Sequence, residues 1–334
     1  MSQTVSYLGM DKVMASNVLA SRDLFAVANR IAGRIAGRVD DQSADAQPLF
    51  DLRVLSQNGG PVSCGDGMTL SAQGRWSDLH PDDILIVPAY MIADSRELEH
   101  YLPQWREAIA FIGSVASQQQ LIVTNCSGSM MLAEADVLSG HRATTAWWLH
   151  DLMASRHPDV DVEREAVCVR SGNILTGSAT TSCFDVTLAV VEQHGGAHLA
   201  RLLSKYMMLD NQRRSQAPYA ILGQHQASDE LVERAERWIR RNLGRDFRIE
   251  ELASELHVSP RTLIRRFQKA LGESPQGFTQ KLRIEKSKIL LETTQMRFGD
   301  IVTRCGYSDE SAFRRLFKRY CQVSPREYRR RFAA

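Results

Sequence analysis

The chain has no long apolar run. Its best stretch, Ile84 to Ala93, is broken by Pro88 and is far too short to span a bilayer. The start, Met1-Ser-Gln-Thr-Val-Ser-Tyr7, lacks a basic segment followed by an apolar one, so secretion is not expected. Cysteine is sparse and scattered, at 64, 126, 168, 183, 305 and 321, with no CxxC pair. That spacing signals neither a zinc site nor a thioredoxin-like motif, so no metal or cofactor is expected, and reduced thiols in the cytosol are. Net charge is also small, +2 over 334 residues, but it conceals an imbalance. Residues 228–334 carry 24 Lys and Arg against 15 Asp and Glu, whereas residues 1–227 carry 17 against 24. A basic C-terminal third beside an acidic remainder implies that only the former meets a polyanion.

What is present is a repeat. When Ser259–Pro275 is slid by 50 onto the segment ending at Pro325, Arg265 meets Arg315, Phe267 meets Phe317, and Ser274-Pro275 meets Ser324-Pro325. One supersecondary unit therefore occurs twice. Each copy, about 249–270 and 298–320, reads as a short helix, a turn and a basic second helix, the pattern of a helix-turn-helix that reads DNA. Ser259 suits an N-cap, with Pro260 at the first helical position and Gly272 at the end. If Leu263, Phe267 and Ala270 face a core, then Arg261, Thr262, Ile264, Arg265 and Gln268 face out. In the second copy Phe313, Leu316, Phe317 and Tyr320 face inward, leaving Glu310, Ser311, Arg314, Arg315 and Lys318 outside. Between the copies, 276–291 reads as a spacer helix with Phe278, Leu282, Ile289 and Leu290 on its apolar side. Lys281, Arg283, Lys286 and Lys288 are expected on its outer side. Upstream, Ser228 is expected to cap a helix over 229–242.

The first two-thirds reads as α/β. Residues 12–36 show helical apolar spacing, and 49–56 alternates like a strand. Ile84 to Val87 and Leu121 to Thr124 are continuous apolar runs, which suit a mostly parallel sheet with helices on both faces. Helices are expected over 98–117, 128–137 and 197–209. The domains are then 1–210, a linker at 211–227, and an all-α domain at 228–334. At Asn125-Cys126-Ser127-Gly128 a buried strand turns sharply into a helix. This is nucleophile-elbow geometry, with Cys126 where the helix dipole lowers a thiol pKa, and equally a place for a small residue at a crowded turn.

Several segments resemble known families. Asn125-Cys-Ser-Gly128, Leu132 to Gly140, Arg142-Ala-Thr-Thr145 and Trp147 resemble the class I glutamine amidotransferase-like, ThiJ/PfpI fold, a flavodoxin-like α/β arrangement, in the GlxA-like version fused to AraC-type domains. Gly306 to Lys318 and Val323 to Arg329 resemble the AraC/XylS family. The first resemblance implies a Cys-His pair, but the histidine position is Ala146. It also implies an acid on the first helix, matched to Asp23, and a glycine after the central strand, here Ala89. A cysteine without its base is a poor nucleophile, so no catalytic residue is expected and Cys126 and Asp23 are read as vestigial. The strand ends are then read as an effector pocket of Asp23, Ala89, Tyr90, Cys126, Ser127 and Trp147. Tyr90, Trp147 and Trp148 could form an aromatic wall suited to an amine or amino-acid derivative. The second resemblance implies promoter DNA read by Arg261, Thr262, Ile264, Arg265, Glu310, Ser311, Arg314 and Arg315. Together they imply a cytoplasmic, homodimeric activator that works with RNA polymerase. The rivals are a Cys126-dependent hydrolase with a DNA-binding appendix, and an effector-independent regulator whose first domain only dimerises.

Overall fold

Ile84 to Val87 and Leu121 to Asn125 are buried along their whole lengths, as strands in the middle of a two-sided sheet must be. The computed structural model describes residues 2–36, 47–209, 213, 215–223 and 229–333, and divides into two units, Met1–Gln216 and Ala217–Ala334. In the first unit the sheet strands are β1 (Gln3–Gly9), β2 (Phe50–Ser56), β3 (Gly74–Arg75), β4 (Ile84–Val87), β5 (Leu121–Asn125), β6 (Cys168–Ser171) and β7 (Ile174–Gly177). Their order is β6-β7-β5-β4-β1-β2-β3, with only the β6–β7 pair antiparallel. Val87 pairs with Thr124 and Asn125 with Gly177, so the C-terminal ends of β4, β5 and β7 share one edge. That edge is where an α/β sheet offers a site.

The helices of this unit are α1 (Ala15–Ile35), α2 (Ser95–Tyr101), α3 (Arg106–Val115), α4 (Ser127–Glu134), α5 (His150–Arg156) and α6 (Cys183–Tyr206). The first packs on the last, and α3 packs on α4. One helix was expected over 98–117, but α2 and α3 are separate. Pro103 lies in the break, where it has no N–H for the helix and restricts the residue before it. The helix expected at 197–209 is the second half of α6, which bends at Gly196 (φ 84°).

The second unit contains α7 (Glu230–Asn242), α8 (Ile249–Glu255), α9 (Pro260–Leu271), α10 (Pro275–Thr293), α11 (Phe298–Arg304), α12 (Glu310–Cys321) and α13 (Pro325–Phe332). The repeat is visible atom by atom. Ser259 accepts from the Thr262 N–H and Asp309 from the Ala312 N–H, while Ser274 and Ser324 each cap a helix with proline at its start. The turns differ in length: residues 256–259 separate α8 from α9, but 305–309 separate α11 from α12. Each turn needs one left-handed residue, His257 (φ 55°) in the first and Gly306 (φ 75°) in the second.

Apolar side chains of this unit fall into two separate cores, one around Leu263 and Phe267, the other around Phe313 and Phe317. Helix α10 serves both, giving Phe278 and Leu282 to the first and Ile284 and Leu291 to the second. Its buried side therefore is not a single stripe, and the outer face expected for it is partly wrong. Arg283 and Lys288 are buried, whereas Ile289 is 52% exposed. The Lys288 ammonium donates to the Ala220 carbonyl (2.5 Å) and to Glu285 (3.0 Å). Residues 217–223, expected as linker, belong to this unit: Tyr219 meets Phe332 edge-on and Arg240 donates to the Gly223 carbonyl. Ser228 lies outside the described residues. The cap seen on α7 is Asp229, which accepts from the Leu231 and Val232 N–H groups.

Candidate functional sites

On α9, burial of Leu263 and Phe267 leaves Arg261, Ile264 and Arg265 exposed. With Gln268 and Lys269 they line one surface depression. Lys269 is the member that sequence reasoning missed; its spacing of four from Arg265 was the available signal. Thr262 is half-buried and its hydroxyl lies 2.9 Å from that of Ser259, so it is partly spent on the cap. Arg266 points elsewhere. It pairs with Asp229 at 2.5 Å, and that cation holds the Asp229 carboxyl below its ordinary range. The ion pair ties α9 to the start of α7.

On α12, burial of Phe313 and Phe317 leaves Glu310, Ser311, Arg314 and Arg315 exposed. Arg314 pairs with Glu310 one turn back and lies 4.9 Å from the Phe298 ring centre. Such an exposed pair is worth only about 0.3–0.5 kcal/mol, less than the 1–3 kcal/mol of an arginine on a guanine edge. Arg315, Arg261 and Arg265 have no ion pair among the described residues.

At the edge of the first unit, Cys126 occupies the turn with φ 54° and ψ −129°, a strained backbone for a side-chain residue. The turn is crowded: a Cβ on Gly128 would lie 2.5 Å from Thr124 Oγ1 and 2.6 Å from the Pro88 carbonyl. Burial pushes the Cys126 thiol pKa up, against weaker help from hydrogen bonds of Ser127 and Thr180. The Thr180 hydroxyl lies 4.0 Å from its sulfur. Ala146 is fully buried, and neither His141, bonded to Ser171, nor His150, bonded to the Thr145 carbonyl, touches the thiol. The Ala89 N–H, the group an oxyanion would use, donates to Asn17 Oδ1 at 3.2 Å.

Two placements in the expected pocket need correction. Asp23 is exposed on α1; the residue of α1 that bonds to the strand-end segments is buried Asn17, which accepts from the Ala89 N–H and donates to the Thr180 carbonyl. The aromatic wall also has different members. Tyr90 packs tilted against Trp105 (4.8 Å) and Trp105 stacks on Tyr101 (5.5 Å), while Trp147 and Trp148 are half-buried and apart from this group. Ser127 Oγ bridges the Tyr90 N–H and carbonyl, so Ala89, Tyr90, Cys126 and Ser127 do come together. The Tyr90 hydroxyl is buried and has no hydrogen-bond partner among the described residues.

Near this edge, burial pulls the His150 pKa down to about 4, with the Arg164 charge acting the same way, so the ring is neutral at pH 7. A depressed histidine stabilises the fold above its unfolded value near 6.5 and gives up that stability as pH falls toward 4. At its limit the gap is worth about 3 kcal/mol. Urea unfolding of the first unit from pH 7 to 4 should show the loss, and His150→Gln should flatten it.

Comparison with known proteins agrees with both halves. The DJ-1/PfpI family model matches residues 47–193, and a helix-turn-helix domain model matches residues 252–331. The chain is 27% identical over 283 residues to the HTH-type transcriptional regulator CdhR of Pseudomonas aeruginosa, covering 84% of this chain and 82% of that one. It is 24% identical over 333 residues to the regulator GbdR of the same species, covering 98% and 84%. Isonitrile hydratase of Pseudomonas putida is 29% identical over 143 residues, 43% of this chain and 59% of the enzyme.

Proposed function

We propose that in this DNA-binding transcriptional regulator, a DJ-1/PfpI domain followed by an AraC-type helix-turn-helix domain, α9 and α12 read base edges in successive major-groove segments. The observation that carries this is the pair of outward faces, Arg261, Ile264 and Arg265 on one helix and Glu310, Ser311, Arg314 and Arg315 on the other, each backed by its own buried phenylalanines. Arginine offers guanine two donors, and Ile264 offers a thymine methyl an apolar contact.

The first domain senses rather than catalyses. A neutral, buried Cys126, alanine at 146 and an Ala89 N–H already bonded to Asn17 support this reading, since the expected base is replaced and one expected oxyanion donor is engaged. A small effector is bound beside Tyr90, whose buried hydroxyl has no partner among the described residues, at a cost of about 1–3 kcal/mol. The Tyr90–Trp105–Tyr101 stack favours an amine or amino-acid derivative, and the Lys12 ammonium, 4.7 Å from the Tyr101 ring centre, is an instance of a cation on that stack. The AraC/XylS resemblance supports a cytoplasmic homodimer that activates through RNA polymerase.

Duplexes selected by the full chain from a randomised pool should show two protected major-groove segments about one helical turn apart. A single protected segment would overturn the two-helix reading. Hydrolysis of an amide or ester panel that disappears in Cys126→Ala would overturn the non-catalytic reading.

A further inference from the structure

The two helix-turn-helix cores do not merge. Two residues of α10 that flank Arg283 belong to different cores, Leu282 to the first and Ile284 to the second. Only 6% of Arg283 is exposed, an unusual burial for a guanidinium. Its Nη2 donates to the Arg245 carbonyl at 2.6 Å. The guanidinium lies 5.5 Å from the Phe247 ring centre and 5.0 Å from that of Tyr307. Phe247 packs on the first core and Tyr307 on the second. The nearest carboxylate is that of Asp246, 4.0 Å away and largely in solvent, so ring faces and a carbonyl hold this cation in place of a buried ion pair. Backbones meet at the same seam, where a Cβ on Gly306 would lie 2.8 Å from the Arg245 carbonyl oxygen, and one turn along α10 the Lys286 ammonium donates to the Arg304 carbonyl at 2.7 Å.

We infer that Arg283 is a positioning residue that pins the two motifs to each other and so fixes the spacing between the base-reading faces of α9 and α12. It touches no base itself. A flat cation can join a ring packed on each core and the Arg245 carbonyl in one place, and lysine lacks the planar fork to do so. Two modules held at one spacing bind a matched site more tightly than two loosely joined ones, because the second contact is prepaid. The inference rests on the proposal that both helices meet DNA.

Two readouts separate the ideas. In the full chain, nitroxides at Gln268→Cys and Lys318→Cys, in a Cys168→Ser background, report the distance between the motifs without DNA. Arg283→Met should broaden that distance distribution while amide protection of α9 and α12 persists. It should weaken binding to a duplex selected by the wild-type chain by about tenfold or more, spare a half-site duplex, and soften the penalty for one inserted base pair. A distribution as narrow as that of the wild type overturns the pin, as does equal weakening on half-site and full-site DNA. A broadened distribution with unchanged DNA binding supports the pin and overturns instead the two-helix reading of DNA. If Arg283→Met does not fold, Arg283→Lys is measured in the same way, and failure of both to fold assigns Arg283 to folding and overturns the inference.

Discussion

Gly306→Ala should destabilise the DNA-reading unit by about 2–4 kcal/mol, from roughly 1 kcal/mol of left-handed strain and about 1–3 kcal/mol of overpacking. Gly306 has φ 75°, and an added Cβ would lie 2.8 Å from the Arg245 carbonyl oxygen and 2.9 Å from that of Leu243. Both are backbone atoms and cannot rotate away. Gly272 supplies the control. It too is left-handed, with φ 68°, but nothing lies within 4 Å of its added Cβ. Gly272→Ala should therefore cost only about 1 kcal/mol, as the structure already tolerates Gln322 (φ 58°) at the matching place in the second copy. Urea unfolding of both variants decides. Equal losses would mean that the close approach at Gly306 carries no energy.

Phe313→Ala should cost about 3–5 kcal/mol, the usual range for removing a large buried ring. Phe313 is fully buried, 4.7 Å from the Tyr307 ring and 6.2 Å from that of Phe298. Because the two cores are separate, the damage should be local. Amide exchange should quicken through α11 and α12 while α8 and α9 stay protected, and Phe267→Ala should give the mirror image. If both variants expose both motifs equally, the unit has one energetic core.

Much of this was legible in the sequence because local rules and tertiary packing agree there. The serine caps, Pro260 and Pro325, the left-handed Gly272 and the Leu263/Phe267 spacing all act within one helix, and periodicity reads them. Continuous runs such as Ile84 to Val87 announced the central strands for the same reason. The misreadings arise where a side chain answers to something distant. Arg283 and Lys288 looked like outer-face cations, but α10 changes cores midway, and carbonyls and rings from other segments receive them. Asp23 was chosen as the acid near Cys126, yet helix phase turns it to solvent and brings Asn17 inward. The Tyr90 stack escaped notice because Trp105 lies in a break between helices that Pro103 creates, where no periodicity points to a partner.

Binding of the full chain to its selected duplex, with Arg265→Ala and Arg315→Ala alone and together over several salt concentrations, tests the central claim most directly. If both helices read bases, each change should weaken specific binding by about 1–3 kcal/mol, relax preference at its own half of the site, and leave non-specific binding in place. Affinity that instead falls equally on all sequences, with a shallower salt slope, would mean that these arginines grip phosphate only, and the assignment of the two reading faces would be wrong.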